Sequence, residues 1–273
     1  MKKKAILLTA VILLTTAGFA QAQEGELSGT VGVSYVSKYI WRGFDLLDDH
    51  SAVQPSVDID LFGTGFSLNV WASYSNGGGV GTNSMGTPGA ISRVNATEYD
   101  YTLAYSCTLF EGEKYATDVR ANFIYYDLID EPDIAQDHEE LGVGFAWPEL
   151  CPAGIVPSYY VCKLWAARSN SALGEDYEGW IHIFGLGYDL KTPGILPDTA
   201  EQVFKLSAAA VYNDGAGGAT VDHDWSHILW GVSTSIEAGP GAFTPAVYYQ
   251  TSMDDSVNTQ DEFWAGLSYA IKF

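Results

Sequence analysis

Apolar and polar residues alternate with a period of two along most of this chain. In the segment 261–273, every second residue is apolar or aromatic. These residues are Phe263, Ala265, Leu267, Tyr269, Ile271 and Phe273. Successive side chains of a β-strand point to opposite faces, so the pattern predicts a strand with one apolar face.

The same alternation predicts eleven further segments of this kind, which makes the protein all-β with about twelve strands. Their approximate positions are 29–43, 56–62, 66–75, 99–105, 119–125, 141–147, 156–166, 180–188, 204–212, 228–232 and 243–249. The segment 156–166 alternates poorly. An even strand number is typical of bacterial barrels made from a single chain.

The connections between these strands also alternate, in length. Those after odd-numbered strands are mostly long, acidic and rich in glycine, such as 127–139 and 213–224. The others are mostly short, such as 63–65 and 148–154, and the connection 189–201 is an exception. Long outer loops and short periplasmic turns characterise transmembrane barrels. The chain therefore predicts a transmembrane antiparallel up-and-down β-barrel, with a secreted β-sandwich as an alternative.

Residues 1–22 predict a cleaved secretory signal peptide, which leaves 23–273 as one barrel domain in the outer membrane. Lys2, Lys3 and Lys4 precede an apolar stretch, and Ala20-Gln21-Ala22 fits a cleavage site. The expected partners are outer-membrane lipid and the barrel-assembly machinery.

The formal net charge of −21 argues against nucleic-acid binding, which would need a basic footprint. Strong acidity instead permits the binding or steering of cations. Cys107, Cys151 and Cys162 permit at most one intramolecular disulfide, and the sequence leaves its pair open. No cofactor and no defined metal site is predicted.

The segment Tyr35-Val-Ser-Lys-Tyr39-Ile-Trp41-Arg42-Gly43-Phe44 resembles a known signature. It is similar to the N-terminal pattern Y-x-S-x-Y-x-(F/W)-R-G of TorF-family porins, a bacterial family of outer-membrane barrels. The resemblance rests on this short motif, together with the overall length, the signal peptide and the closing aromatic residue. It implies an outer-membrane barrel with pore activity and no catalytic residues.

The final segment resembles the closing strand of bacterial outer-membrane barrels, whose assembly signal ends in phenylalanine. That resemblance implies an assembly role for Gly266, Tyr269, Ile271 and Phe273.

The two parities of the predicted strands are expected to face lipid and lumen. The lipid-facing set is Leu68, Val70, Leu103, Phe123, Phe184, Leu206 and Leu267. The pore-lining set is Lys38, Arg42, Asp58, Asp60, Asn69, Asp100, Arg120, Asn122, Glu140 and Lys205. Charges of both signs can line a wet channel, or can pair across a lumen as narrow as that of a twelve-stranded barrel and plug it. The sequence leaves both open.

Histidines near carboxylates occur in or beside the long loops, at His50, His138, His223 and His227. Such groups can bind zinc, although polar loops also bring them together by chance. A Ser–His hydrolase on the outer wall would need both residues on one face. Ser226 and His227 are adjacent and are expected to point to opposite faces, so no enzyme is predicted.

The predicted function is therefore a channel for passive diffusion of small polar solutes or ions. A weak preference for cations is expected, because the long loops carry many carboxylates and few basic residues. The alternative is a plugged structural or binding barrel with acidic, metal-binding loops.

Overall fold

A computed structural model describes residues 27–76, 97–129, 136–168, 177–195 and 199–273. Twelve long strands form one closed antiparallel barrel, in which sequence neighbours pair. They are β1 (Ser28–Val36), β4 (Ala52–Asp60), β5 (Phe66–Ser75), β6 (Thr97–Leu109), β7 (Thr117–Asp127), β8 (His138–Ala146), β9 (Ile155–Ala166), β10 (Gly179–Pro193), β11 (Glu201–Asp214), β12 (His223–Thr234), β14 (Gly241–Ser252) and β15 (Glu262–Lys272). The short strands β2 (Ile40–Trp41), β3 (Phe44–Asp45) and β13 (Ile236–Ala238) lie in connections. Among the described residues, no helix is long and apolar enough to cross a membrane.

The barrel closes where β15 pairs with β1. Thr30 lies opposite Lys272 at one end of this pairing, and Val36 lies opposite Gly266 at the other. The backbones of Gly29 and Phe273 exchange two further hydrogen bonds, of 2.9 and 3.0 Å. Closure leaves no unpaired strand edge, which is what a sheet needs in lipid. The predicted all-β up-and-down barrel of about twelve strands is confirmed.

We expect removal of Phe273 to lower the yield of assembled barrel, because it deletes both backbone bonds that extend the seam to Gly29. The measurement is the fraction of protein that shows heat-modifiable migration on gels. Phe273→Leu is the matched control, since it keeps the backbone bonds and an apolar side chain. Equal yields for wild type and the deletion would contradict this role.

The outer wall is apolar and exposed. Six of the seven predicted lipid-facing side chains are between 38 and 47% exposed: Leu68, Val70, Leu103, Phe123, Phe184 and Leu267. Leu206 faces the same way but is half-buried, because it lines a groove of about 660 Å³ between neighbouring wall side chains. Exposed large apolar residues on most of the strands are the pattern of a wall that faces acyl chains.

We expect Val70→Arg to destabilise the barrel by roughly 2–4 kcal/mol, the range for a charge placed on the lipid face near the bilayer midplane. Asn69→Arg is the matched control, because Asn69 is the preceding residue on the same strand and faces the lumen. Urea titration of both variants in lipid vesicles measures the difference. Equal losses would show that both faces of β5 are packed.

Long connections collect at one end of the barrel, the loop end, and short ones at the other, the turn end. The chain enters β1 and leaves β15 at the turn end, as the alternation of loop lengths predicts. The predicted exception at 189–201 is wrong. Strand β10 continues to Pro193, so that only residues 194–200 connect it to β11.

The first predicted strand is too long. It was expected to run from 29 to 43, but β1 ends at Val36. The connection that follows β1 is correspondingly longer and comprises residues 37–51, which we call the lumen segment. Tyr39 and Trp41 continue the period-two pattern, although they do not belong to the wall.

Candidate functional site

The lumen segment contains a short hairpin. Arg42 and Gly43 form its turn with φ angles of 51° and 98°, and Trp41 pairs with Phe44 across it. Positive φ is costly for most residues and free of penalty for glycine, which suits Gly43 to this turn. Phe44 and Leu47 are buried, at 3 and 5% exposure. Phe44 is buried against Val221 and Val257, and Leu47 is buried against Tyr39 and Ala52.

Contacts across the barrel fix the hairpin in place. The Gly43 carbonyl accepts hydrogen bonds from Gln250 Nε2 at 2.9 Å and from Asn258 Nδ2 at 3.2 Å. Phe44 packs in one cluster with Val221 and Val257 from two other loops. The lumen segment therefore fills the loop half of the lumen within the described part of the chain.

Arg42 reaches the wall on the far side of the barrel from β1. Its Nη2 lies 3.0 Å from both carboxylate oxygens of Glu140, on β8. Glu140 is 0% exposed and also accepts hydrogen bonds from the hydroxyls of Tyr126, at 3.1 Å, and Tyr160. The Arg42 guanidinium carbon lies 5.3 Å from the centroid of the Tyr160 ring. A buried carboxylate needs such compensation, because desolvating an unpaired charge is very costly.

Aromatic side chains complete the contact around the lumen segment. Trp41 meets Tyr126 and His138 edge to face, with ring centroids 5.7 and 5.9 Å apart. Tyr39 packs against Trp71 at 5.7 Å and donates a hydrogen bond of 3.1 Å to Glu98. Trp41 also packs against a cluster that contains the buried residues Cys162 and Leu164 of β9. The poor alternation of β9 follows, because its inward side chains here are apolar.

A second ion pair lies at the edge of the lumen segment. The ammonium group of Lys38 lies 2.7 Å from Glu262 and also contacts Asp49. Burial raises the pKa of the Asp45 carboxyl, while hydrogen bonds from the backbone amides of Asp49 and Leu47 act against it. Among the described residues, the carboxylates of Asp45, Asp49 and Glu262 form the one group with a spacing that suits a metal ion. Lys38 already supplies their positive charge.

The turn half of the lumen has a different character. Asp58, Asp118, Arg120 and Lys205 face inward there and are exposed. Two of these charged groups form hydrogen bonds with neighbouring side chains. The Asn69 amide donates to the Asp58 carboxylate at 2.8 Å, and the Arg120 guanidinium donates to the Ser106 hydroxyl at 3.3 Å. A cavity of about 540 Å³ lies at this end. We call this open, polar part of the lumen the vestibule.

The predicted pore-lining residues thus divide into three groups. Lys38 and Arg42 belong to the lumen segment and lie in no strand, which corrects their assignment to the first strand. Five residues face the vestibule on strands: Asp58, Asp60, Asn69, Arg120 and Lys205. The remaining three, Asp100, Asn122 and Glu140, face the filled half. Asn122 and Glu140 both bond to Tyr160, a residue that strand parity alone did not single out.

His138 is the first residue of β8, beside the acidic connection that precedes it, and His227 lies near the start of β12; both are buried, at 7 and 3% exposure. The expectation that Ser226 and His227 point to opposite faces is wrong. A register shift in the pairing of β11 with β12 places the Ser226 Oγ 2.9 Å from the His227 Nδ1. A bulge adds one unpaired residue, and it breaks the simple alternation.

The Ser226–His227 pair lacks the geometry of an activated nucleophile. Ser226 is fully buried, and its hydroxyl donates a hydrogen bond of 3.2 Å to the Val211 carbonyl. Its single proton is therefore used, and the His227 ring acts as donor to the serine oxygen. A general base would have to accept that proton instead. The pair stabilises the bulge.

The buried ring of His227 also lies directly against the turn of the lumen segment at Gly43. His227 therefore helps to hold this turn in place.

Cys107, Cys151 and Cys162 are all free thiols, and Cys162 is buried. The predicted signal peptide lies outside the described residues, as do the acidic loop residues Asp130, Glu131, Asp133, Glu175 and Asp176.

Comparison with solved structures finds other barrels. The NanC porin matches with a TM-score of 0.52 at 10% identity, over 90% of this chain and 100% of that one. The β domain of the Bordetella autotransporter BrkA matches with a TM-score of 0.45 at 10% identity, over 91 and 100% of the two chains. The NanC likeness shows a shared outer-membrane barrel fold. No family model matches the sequence and no curated protein does, so the resemblance to TorF-family porins stays a prediction.

Proposed function

We propose that this protein is an outer-membrane channel for small polar solutes or ions, which is restricted by its own lumen segment. The observation that carries the proposal is the two-part lumen: an open, charged vestibule below a half that the lumen segment fills together with residues of neighbouring loops such as Val221 and Val257. The lumen segment connects two strands and is not part of the wall, so its displacement would widen the passage and leave the wall intact.

The orientation follows from the two ends. The long acidic loops face the outside of the cell, and the short turns face the periplasm, as in other transmembrane barrels. The predicted signal peptide and the motif shared with TorF-family porins support export and a pore role. The motif that carries this resemblance lies within the lumen segment. Its residues Tyr39, Trp41, Arg42 and Gly43 belong to the part of that segment that restricts the lumen.

The loop end favours cations. Its described carboxylates include the exposed residues Asp49, Asp222, Asp224, Asp255 and Asp261. A hydrogen bond from the Tyr249 hydroxyl lowers the pKa of Asp261, which keeps this carboxylate ionised. Four basic residues inside the barrel are expected to oppose this bias: Lys38, Arg42, Arg120 and Lys205. Lys38 and Arg42 are paired with wall carboxylates, which largely cancels their opposition. Arg120 and Lys205 are exposed in the vestibule and keep the preference modest.

Purified protein in planar bilayers tests the proposal. We expect discrete openings and a reversal potential that shows cation preference across a salt gradient. The preference should weaken as the screening length falls from about 10 Å at 0.1 M salt to about 3 Å at 1 M. Anion preference at low salt would contradict the charge argument.

A second candidate is a plugged binding barrel, and the filled loop half favours it. The same measurement separates the two. Protein that is inserted and heat-modifiable but never conducts, whatever the voltage, supports the binding barrel over the channel.

A further inference from the structure

We infer that the pocket around Glu140 is a binding site for the cationic head of a solute, with a guanidinium or ammonium group, and that Arg42 occupies it as a built-in substitute. The inference rests on the proposed channel function, since it names the class of solute that the filled half would admit. Arg42 and the cation of the solute then compete for one carboxylate, that of Glu140.

The wall supplies this pocket without help from the lumen segment. Glu140, Tyr126 and Tyr160 all lie on barrel strands, and the two hydroxyls hold the carboxylate from the sides. The Tyr160 ring faces the guanidinium at 5.3 Å, within the range of a cation–π contact. A planar cation that enters would meet the same carboxylate oxygens and the same ring. Only Trp41, at 5.9 Å on the other side, would leave with the lumen segment.

The rest of the wall at this height selects the same charge. Its inward carboxyl groups belong to Glu98, Asp100, Glu140 and Glu262, and the described wall residues that face this half include no lysine or arginine. Within the described residues, Lys38 and Arg42 bring positive charge to this half. When the segment moves away, a neutral solute would leave Glu140 desolvated and unpaired, whereas a cationic solute replaces the lost partner.

Binding to Arg42→Ala protein in detergent tests the pocket directly. Calorimetry should show saturable binding of methylguanidinium to this variant and none of methylurea, which has a similar shape and no charge. Wild type should bind methylguanidinium at least several-fold more weakly, because Arg42 fills the site. Adding Glu140→Gln to Arg42→Ala should abolish binding. Equal binding of both probes, or unchanged binding after Glu140→Gln, would overturn the inference.

A second variant covers the case in which Arg42→Ala fails to fold. In a barrel whose residues 37–51 are replaced by a short turn, the same pocket is empty and the wall is unaltered. Methylguanidinium should bind there with the same dependence on Glu140. Absence of binding in both variants rejects the pocket.

Flux measurements connect the pocket to transport. Proteoliposomes with wild-type protein should take up arginine several-fold faster than citrulline, its neutral analogue, and Glu140→Gln should remove the difference. Equal uptake of the two in wild type overturns the selectivity. If neither solute passes through any variant while methylguanidinium still binds in detergent, the channel proposal fails and the binding site stands.

Discussion

Replacing residues 37–51 with a two-residue Asn-Gly turn is expected to convert the barrel into a permanently open pore. Val36 and Ala52 lie directly opposite each other in the pairing of β1 with β4, so a two-residue hairpin can join them. The change removes the lumen segment and leaves every residue of the twelve barrel strands in place. The loop half of the lumen then loses its filling, and conductance in planar bilayers should rise severalfold, with closed periods becoming rare.

A control variant should carry a comparable change that leaves the lumen alone. Glycine substitutions in the exposed turn 111–114, at the opposite end of the barrel, meet this condition. They should leave conductance at the wild-type level. A replaced barrel that inserts and is heat-modifiable, but conducts no better than wild type, would show that the lumen segment is not the restriction.

Breaking the Arg42–Glu140 pair is expected to destabilise the protein by about 3–5 kcal/mol, the usual loss when one partner of a buried ion pair is removed. In Arg42→Ala, the carboxylate of Glu140, which is 0% exposed in the wild type, loses the cation beside it. The expected readouts are a lower urea midpoint in lipid vesicles and faster proteolysis within the lumen segment. Both follow because the segment loses its contact with the far wall.

Two further variants separate the pair from a general loss of packing. Arg42→Met combined with Glu140→Gln removes both charges while keeping similar volumes, and it should recover most of the lost stability. Lys191→Ala breaks an exposed ion pair with Glu201, 3.4 Å apart, and should cost only about 0–1 kcal/mol. If the double variant is as unstable as Arg42→Ala, the loss comes from packing and the charge argument is wrong.

The barrel itself could be predicted from the sequence because its wall follows a local rule. In a strand between lipid and lumen, apolar and polar side chains alternate whatever the rest of the chain does. The polarity of Leu68 and Asn69 therefore shows which face each residue belongs to. The alternation of long and short connections gave the strand order and the two ends in the same way. The candidate lumen residues on β4, β5 and β7 followed directly from parity.

The filled half could not be predicted because it depends on contacts between distant parts of the chain. Tyr39 and Trp41 recur two residues apart as wall residues do, and their partners on β5, β6, β7 and β8 reveal that they lie inside. One local sign was present, since 156–166 alternated poorly. Cys162 and Leu164 face inward there and are apolar, because they are buried in the filled half of the lumen.

The bulge at Ser226 shows a second limit of parity. One extra residue in β12 reverses the relation between neighbours, and no proline or glycine in 223–228 marks the position. The Ser226 hydroxyl donates a hydrogen bond to the Val211 carbonyl on the adjacent strand. The position of the bulge therefore depends on strand pairing rather than on local sequence.

The contacts of the lumen segment also order the events of folding. Arg42 and Glu140 are 98 residues apart in the chain, and Gly43 is 207 residues from Gln250 and 215 from Asn258. Neighbouring strands can pair as hairpins, whereas these partners come together only when β8, β14 and the last loop surround one space. Contacts of such separation form late, because the entropy of closing long loops must be overcome first. The seam between β1 and β15 joins residues that are even farther apart in the chain. We therefore expect the hairpin to dock late in maturation, together with closure of the barrel.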